Sequence, residues 1–105
     1  MARFDVHRNP GASTTTIPFL LNVQSPLLDD LATRIVVPLR KSGTLGVAPT
    51  PSLLMPQFVV EGMACVLDTP QMAAVPSRVL GAAVANLESE HGAVVAALDF
   101  LFQGF

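Results

Sequence analysis

Residues 57–68 have the sequence QFVVEGMACVLD, in which two short apolar segments flank Gly62. This pattern predicts an antiparallel hairpin with a tight glycine turn. Three further segments of strand character precede it, at residues 3–8, 17–23 and 34–37, and a proline follows each of them within a few residues. A chain of several short strands separated by turns is typical of a mainly β domain.

Prolines and glycines set the expected limits of these strands. Pro18 indicates a strand end or an edge, because proline cannot donate a hydrogen bond to a sheet ladder. Pro38 is expected to close the strand before it, and residues 27–32 to form one helical turn or a loop. Three prolines and two glycines predict a long loop over residues 41–56. A further strand is expected at residues 72–75, before the next proline.

The last quarter of the chain changes to helical periodicity. From Glu88 onward the spacing of apolar residues predicts a C-terminal α-helix that ends near Gly104. Its apolar stripe consists of Val94, Val95, Leu98, Leu101 and Phe102. Ala96, Ala97 and Phe100 fall outside this stripe, so the helix is apolar on nearly all sides. We therefore expect one side to pack on the sheet and another on a second copy of the chain.

Composition limits the possible functions. The chain has 105 residues, enough for one domain, and half of them are apolar while 13% are charged. So small a domain leaves apolar surface exposed, which favours a homo-oligomer. A net charge of −2 and only six lysines and arginines argue against direct nucleic-acid binding. Without a signal-like segment or a membrane-length apolar run, and with a single cysteine, the chain is expected to be cytoplasmic.

Few side chains are suited to catalysis. The two histidines are His7 and His91, and Cys65 is expected to be an inert core residue. No spacing typical of a metal site, a phosphate-binding loop or a nucleophile elbow is present. The adjacent carboxylates Asp29 and Asp30 are expected in a solvated turn. The sequence therefore predicts a protein that is not an enzyme and that needs no metal or cofactor.

Four segments, taken in order, carry a resemblance to a known family. They are residues 23–29 (VQSPLLD), 34–39 (RIVVPL), 72–81 (MAAVPSRVLG) and a terminal Gly104-Phe105 that follows a helix. Together they resemble the CcdB-type toxins of bacterial toxin–antitoxin modules, over nearly the whole chain. The resemblance implies a single domain over residues 1–105. Its fold is a compact antiparallel sheet or partly open barrel of the CcdB, Kid and MazF type, with a last strand at 84–87 and the helix at a homodimer interface.

Toxins of this family bind the gyrase A subunit and trap the gyrase–DNA cleavage complex without covalent chemistry of their own. The resemblance implies the same target, or another type II topoisomerase, for this chain. It also implies neutralisation by a CcdA-like antitoxin, through which alone the toxin would reach operator DNA for transcriptional autoregulation. No membrane partner is implied. An endoribonuclease toxin of the same fold needs a cationic groove, and the low lysine and arginine content disfavours it.

The resemblance assigns roles to residues in two parts of the chain, the leucine pair at 27–28 and the C-terminal helix with the residues that follow it. The implied target contacts are Leu27, Leu28, Asp99, Phe102, Gln103, Gly104 and Phe105. The implied dimer-interface residues are the stripe Val94, Val95, Leu98, Leu101 and Phe102. Gln103 stands where the family has a tryptophan that stacks on an arginine of gyrase, and losing that contact would cost about 2–4 kcal/mol. The alternative function is therefore a CcdB-fold homologue whose topoisomerase-poisoning activity is weak, retargeted or lost.

Overall fold

The computed structural model describes residues 2–44 and 51–104. Within these residues seven strands form one antiparallel sheet, curled into a half-barrel, and a single α-helix follows them. The strands are β1 (Asp5–Arg8), β2 (Phe19–Asn22), β3 (Thr33–Lys41), β4 (Gln57–Val60), β5 (Met63–Leu67), β6 (Ala73–Pro76) and β7 (Ala83–Asn86), and the helix α1 is His91–Gln103. The predicted fold class, mainly β with one C-terminal helix, is confirmed.

The sheet has the order β4-β5-β3-β2-β1-β7, and β6 pairs with β3 beside this path. β3 is thus shared between two partners on one side. Its first half, residues 33–36, pairs with β6, and residues 39–41 pair with β5. At the opposite edge β1 pairs with β7, with Asp5 opposite Asn86. The first and last of the described strands therefore lie side by side.

Pro38 does not end its strand, and the prediction that it would was wrong. β3 continues through it to Lys41. The Pro38 carbonyl accepts a hydrogen bond from the Asp68 N–H at 2.9 Å. The carbonyl therefore points away from β2, towards the gap between β6 and β5. No ladder bond from a proline N–H is needed at that gap. A central strand tolerates proline here because its neighbour on that side changes at this residue.

Other local predictions agree with the structure. The predicted hairpin is β4 and β5, joined by Glu61 and Gly62 with φ values of 50° and 77°. Positive φ at both turn residues matches the twist of the flanking strands. β2 begins directly after Pro18, β6 and β7 lie within one residue of their expected positions, and residues 26–28 form a single 3₁₀ turn. The loop predicted over 41–56 includes residues 45–50, which lie outside the described residues.

The helix packs on the sheet through part of the predicted stripe and through Ala97, which lies outside the stripe. Val94 and Ala97 are both fully buried and belong to the main core, together with Val6, Leu21 and Leu39. Phe102, which the stripe included, is exposed. A smaller cluster of Leu20, Val36 and Leu80 forms a second core. None of the described residues forms a helix long and apolar enough to cross a membrane.

Candidate functional site

A short turn between β2 and β3 presents leucines to solvent. Pro26 occupies the first turn of the 3₁₀ segment, and the Ser25 hydroxyl accepts a hydrogen bond from the Leu27 N–H at 3.2 Å. Leu27 is 91% exposed, and Leu28 and Leu31 are each about half exposed. Single exposed leucines are ordinary on protein surfaces, but three within five residues form a patch suited to binding.

The end of α1 presents a second apolar group. Phe102 is 71% exposed, and Asp99 and Gln103 are also exposed. Gly104 closes the helix in the left-handed conformation, with φ of +78°, and its N–H donates to the Phe100 carbonyl at 2.9 Å. A residue with a Cβ is strained at this φ, so glycine is the residue best suited to this helix end.

These two elements meet at one groove. The groove has a volume of about 520 Å³, and most of its lining is apolar. Its apolar lining consists of Val23, Leu28, Leu31, Ile35, Met72, Leu98 and Phe102. The polar groups that reach it belong to Gln24, Ser25 and Thr33. The structure thus brings Leu28 and Phe102, predicted as target contacts from opposite parts of the sequence, to one surface. We call it the Leu28–Phe102 groove.

Other predicted contacts lie outside the groove. Leu27 projects into solvent, and Asp99, Gln103 and Gly104 are exposed near the helix end without lining the groove. Phe105, the remaining predicted contact, lies outside the described residues.

The sequence interpretation missed four apolar lining residues, Val23, Leu31, Ile35 and Met72. Leu31 carried a usable signal, because it is a large apolar residue directly after two aspartates. Ile35 and Met72 carried none: each lies in or beside a segment that predicts strand, and only the pairing of β3 with β6 brings these segments together.

The predicted dimer-interface residues divide into three groups. Val94 is fully buried against the chain's own core, so its side chain is not available to a second copy. Val95, Leu98 and Leu101 are partly buried, and Val95 and Leu98 pack against the core with part of their surface. Phe102 is exposed. The face open to another molecule is therefore narrower than the predicted stripe.

The charge near the helix is negative. Glu88 and Glu90 precede α1 and Asp99 lies on it, while the sequence has no lysine or arginine after Arg78. The ion pairs found among the described residues involve Arg8, Arg34 and Arg40, with Glu61, Asp29 and Asp68 respectively, and none involves the helix. Glu88 and Glu90 lie at the N-terminal end of α1, and Asp99, one turn before Gln103, gives the C-terminal end a negative side chain that is complementary to basic side chains on a partner.

The two histidines and the cysteine lie apart from the groove. His7 is buried, with Nδ1 2.8 Å from the Gly81 carbonyl oxygen, and His91 is exposed, with Nδ1 2.9 Å from the Glu88 carbonyl oxygen. Cys65 is fully buried in the core, as predicted, and burial raises the pKa of its thiol. Across residues 2–44 and 51–104 no three histidine, cysteine, aspartate or glutamate side chains cluster closely enough to hold a metal ion.

Comparison with known proteins gives one family match. The family model described as CcdB protein matches residues 3–104, nearly the whole chain. A search of curated proteins found no match. The match covers both elements that form the Leu28–Phe102 groove.

Proposed function

Because the chain belongs to the CcdB family of toxins, we propose that it is the toxin of a toxin–antitoxin module and binds the gyrase A subunit, trapping the gyrase–DNA cleavage complex. One observation carries this proposal. Leu28 and Phe102, which the family resemblance assigns to target contact, line a single apolar groove beside the exposed end of α1. Two segments about seventy residues apart form one surface suited to a single partner.

We propose that the toxin acts by binding gyrase and that it makes or breaks no covalent bond in its target. Large exposed apolar side chains gain about 1.5–3 kcal/mol each when a partner covers them fully, so Leu27 and Phe102 together can supply much of a specific affinity. Negative charge around the helix complements basic side chains on the target. A toxin held on the open enzyme in this way stops religation by occupying the gate, and it acts with no catalytic residue or cofactor of its own.

The proposed active form is a homodimer in the cytoplasm. Of the predicted interface residues, Val95 and Leu101 do not line the groove and remain for a second copy, whereas Leu98 and Phe102 line it. A two-fold dimer would present two copies of the groove to a two-fold target. Light scattering at micromolar concentration is expected to give twice the chain's 11.1 kDa, and a mass of one chain would contradict the dimer.

The proposed partners include a CcdA-like antitoxin that covers the same toxin surface. Operator DNA is then contacted only through the antitoxin, which agrees with the chain's net charge of −2.

A weaker or retargeted activity is the second candidate, and Gln103 favours it. Gln103 is exposed at the last position of α1, where an aromatic ring could stack on a cationic side chain of the target. Glutamine cannot stack comparably. On this alternative the fold and the groove are retained while the affinity for gyrase is low.

A glycine pair provides the test of the main proposal. Gly104→Arg and Gly43→Arg each place a side chain at a left-handed glycine with open space around it, with φ of +78° and +91°. Only Gly104 adjoins the proposed contact surface. Expression of the natural chain or of Gly43→Arg is expected to stop growth. Each of these two proteins, incubated with gyrase, ATP and plasmid, is expected to give linear DNA after protease treatment. Gly104→Arg is expected neither to stop growth nor to give linear DNA. Normal growth and no linear DNA with the natural chain would contradict gyrase poisoning.

A further inference from the structure

The buried side chain of Arg34 holds the turn at residues 27–31, which carries the exposed leucines. Arg34 lies on β3, and its Nη1 donates to the Leu31 carbonyl at 2.6 Å and the Thr33 carbonyl at 2.9 Å. Nη2 donates to the Asp29 carbonyl at 2.7 Å. The Arg34 Nε lies 3.7 Å from Asp29 Oδ1, which adds an ion pair. One guanidinium therefore holds three backbone carbonyls within a stretch of five residues.

Gln24 holds the same stretch from β2's side. Its Nε2 donates to the Leu28 carbonyl at 3.1 Å and to the Thr33 carbonyl at 3.2 Å. Its Oε1 accepts the Ile35 N–H at 3.0 Å, which ties the turn to β3. Gln24 is itself buried. The two buried side chains together hold the carbonyls of four residues between 28 and 33.

The exposed leucines have little packing of their own to hold them. Leu27 is almost fully exposed, and Leu28 and Leu31 are half exposed. An apolar segment of this kind gains free energy by collapsing onto nearby apolar surface, and the groove beside it offers such a surface. Hydrogen bonds from buried side chains oppose that collapse because they fix the backbone. A buried charged donor that lost its acceptors would be strongly unfavourable.

We propose that Arg34 and Gln24 are positioning residues for target binding: they hold the 27–31 turn so that its leucines stay outside the core and the groove stays open. This inference rests on the proposed function for its binding readout. Arginine is required because its planar guanidinium has five donors in a fixed fork, whereas a lysine ammonium cannot reach the three carbonyls in the same geometry.

The binding test compares two arginines of one strand. Arg34→Lys removes the anchor, and Arg40→Lys is its matched control. Arg40 also lies on β3 and forms an ion pair, at 3.1 Å to Asp68, but it is only partly buried and this pair lies away from the turn. Calorimetry with the purified gyrase A subunit is expected to show about 10-fold weaker binding for Arg34→Lys and less than a two-fold change for Arg40→Lys. Equal losses in the two variants would overturn the proposal.

A double-mutant cycle separates positioning from general destabilisation. In a Leu27→Ala, Leu28→Ala, Leu31→Ala background the turn has lost the side chains that Arg34 is proposed to present. Arg34→Lys is then expected to weaken binding less than two-fold. The same 10-fold loss in both backgrounds would show that Arg34 does not act through the leucines. Gln24→Met provides a second variant, with a smaller expected loss, should Arg34→Lys fail to fold.

Amide hydrogen exchange tests the anchor without gyrase. The N–H groups of Leu28, Asp29 and Leu31 donate within the turn, to the carbonyls of Ser25, Pro26 and Leu28. Arg34→Lys is expected to speed their exchange at least 10-fold while Arg40→Lys leaves it unchanged. Unchanged exchange in Arg34→Lys would refute the positioning role. If the natural chain does not bind gyrase A, the proposed function fails, and the exchange rates alone decide whether Arg34 and Gln24 hold the turn.

Discussion

Phe102→Ala is the substitution that most directly separates binding from folding. The side chain is 71% exposed, so it contributes little to the core, and truncation is expected to change the free energy of unfolding by less than about 0.5 kcal/mol. A phenylalanine exposes roughly 200 Å² when free, so about 140 Å² remains for a partner to cover. At about 25 cal/mol per Å² this area is worth about 3.5 kcal/mol, an upper bound for the contact.

Alanine retains part of that area, which leaves an expected loss of about 2–3 kcal/mol in binding. This corresponds to an affinity for the gyrase A subunit that is roughly 30- to 160-fold lower. Titration calorimetry measures the affinity, and urea denaturation measures the stability of the same preparation. The matched control is Val59→Ala, because Val59 is 70% exposed on β4 and does not line the groove. A Phe102→Ala variant that binds as tightly as Val59→Ala would refute the assignment of the groove as the target surface.

Three further predictions concern single residues. Gln103→Trp is expected to raise the affinity for gyrase A by 10-fold or more in the same calorimetric assay, and unchanged affinity would show that this position does not limit binding. Val94→Ala, which leaves a cavity at a fully buried site, is expected to lower the free energy of unfolding by about 2 kcal/mol in urea denaturation, and a loss below 0.5 kcal/mol would contradict its burial. Cys65 is expected to resist iodoacetamide at pH 8 until the chain is unfolded, because it is buried and the pKa of its thiol is raised; rapid labelling of the folded protein would contradict this.

Features that depend on local backbone chemistry could be predicted from the sequence. The Glu61-Gly62 turn, the start of β2 after Pro18 and the helix end at Gly104 each follow from the conformations open to glycine or proline. The chain needs no distant contact to specify them. The fold class followed from the same signals, together with the change of periodicity near Glu88.

Features that depend on distant neighbours could not be predicted. Pro38 reads as a strand end, and only the change of partner from β6 to β5 makes it acceptable inside β3. Ala97 is buried and Phe102 exposed because the sheet selects one face of a helix that is apolar on nearly every side. Periodicity alone gave a stripe that includes Val94, Val95 and Leu98, which pack on the core, but that omits Ala97.

The candidate site also combines residues that the sequence indicated with residues that only the folded chain brings together. The family resemblance indicated Leu28 and Phe102, but it did not show that they share a groove, nor that Leu31, Ile35 and Met72 complete it. Gln24 and Arg34 lie in two of the segments that carry the family resemblance, but the resemblance assigned no role to either residue. Their hydrogen bonds to carbonyls become visible only when the turn between β2 and β3 is folded.

The pairing of β1 with β7 has a consequence for the timing of synthesis. Asp5 and Asn86 lie opposite each other although 81 residues separate them. At 5–20 residues per second a ribosome needs roughly 4–16 s to make that interval. During translation the first strand therefore has no neighbour on one side, and the nascent polypeptide cannot complete its sheet. Any activity that needs the complete sheet would begin only after the residues of β7 have been made.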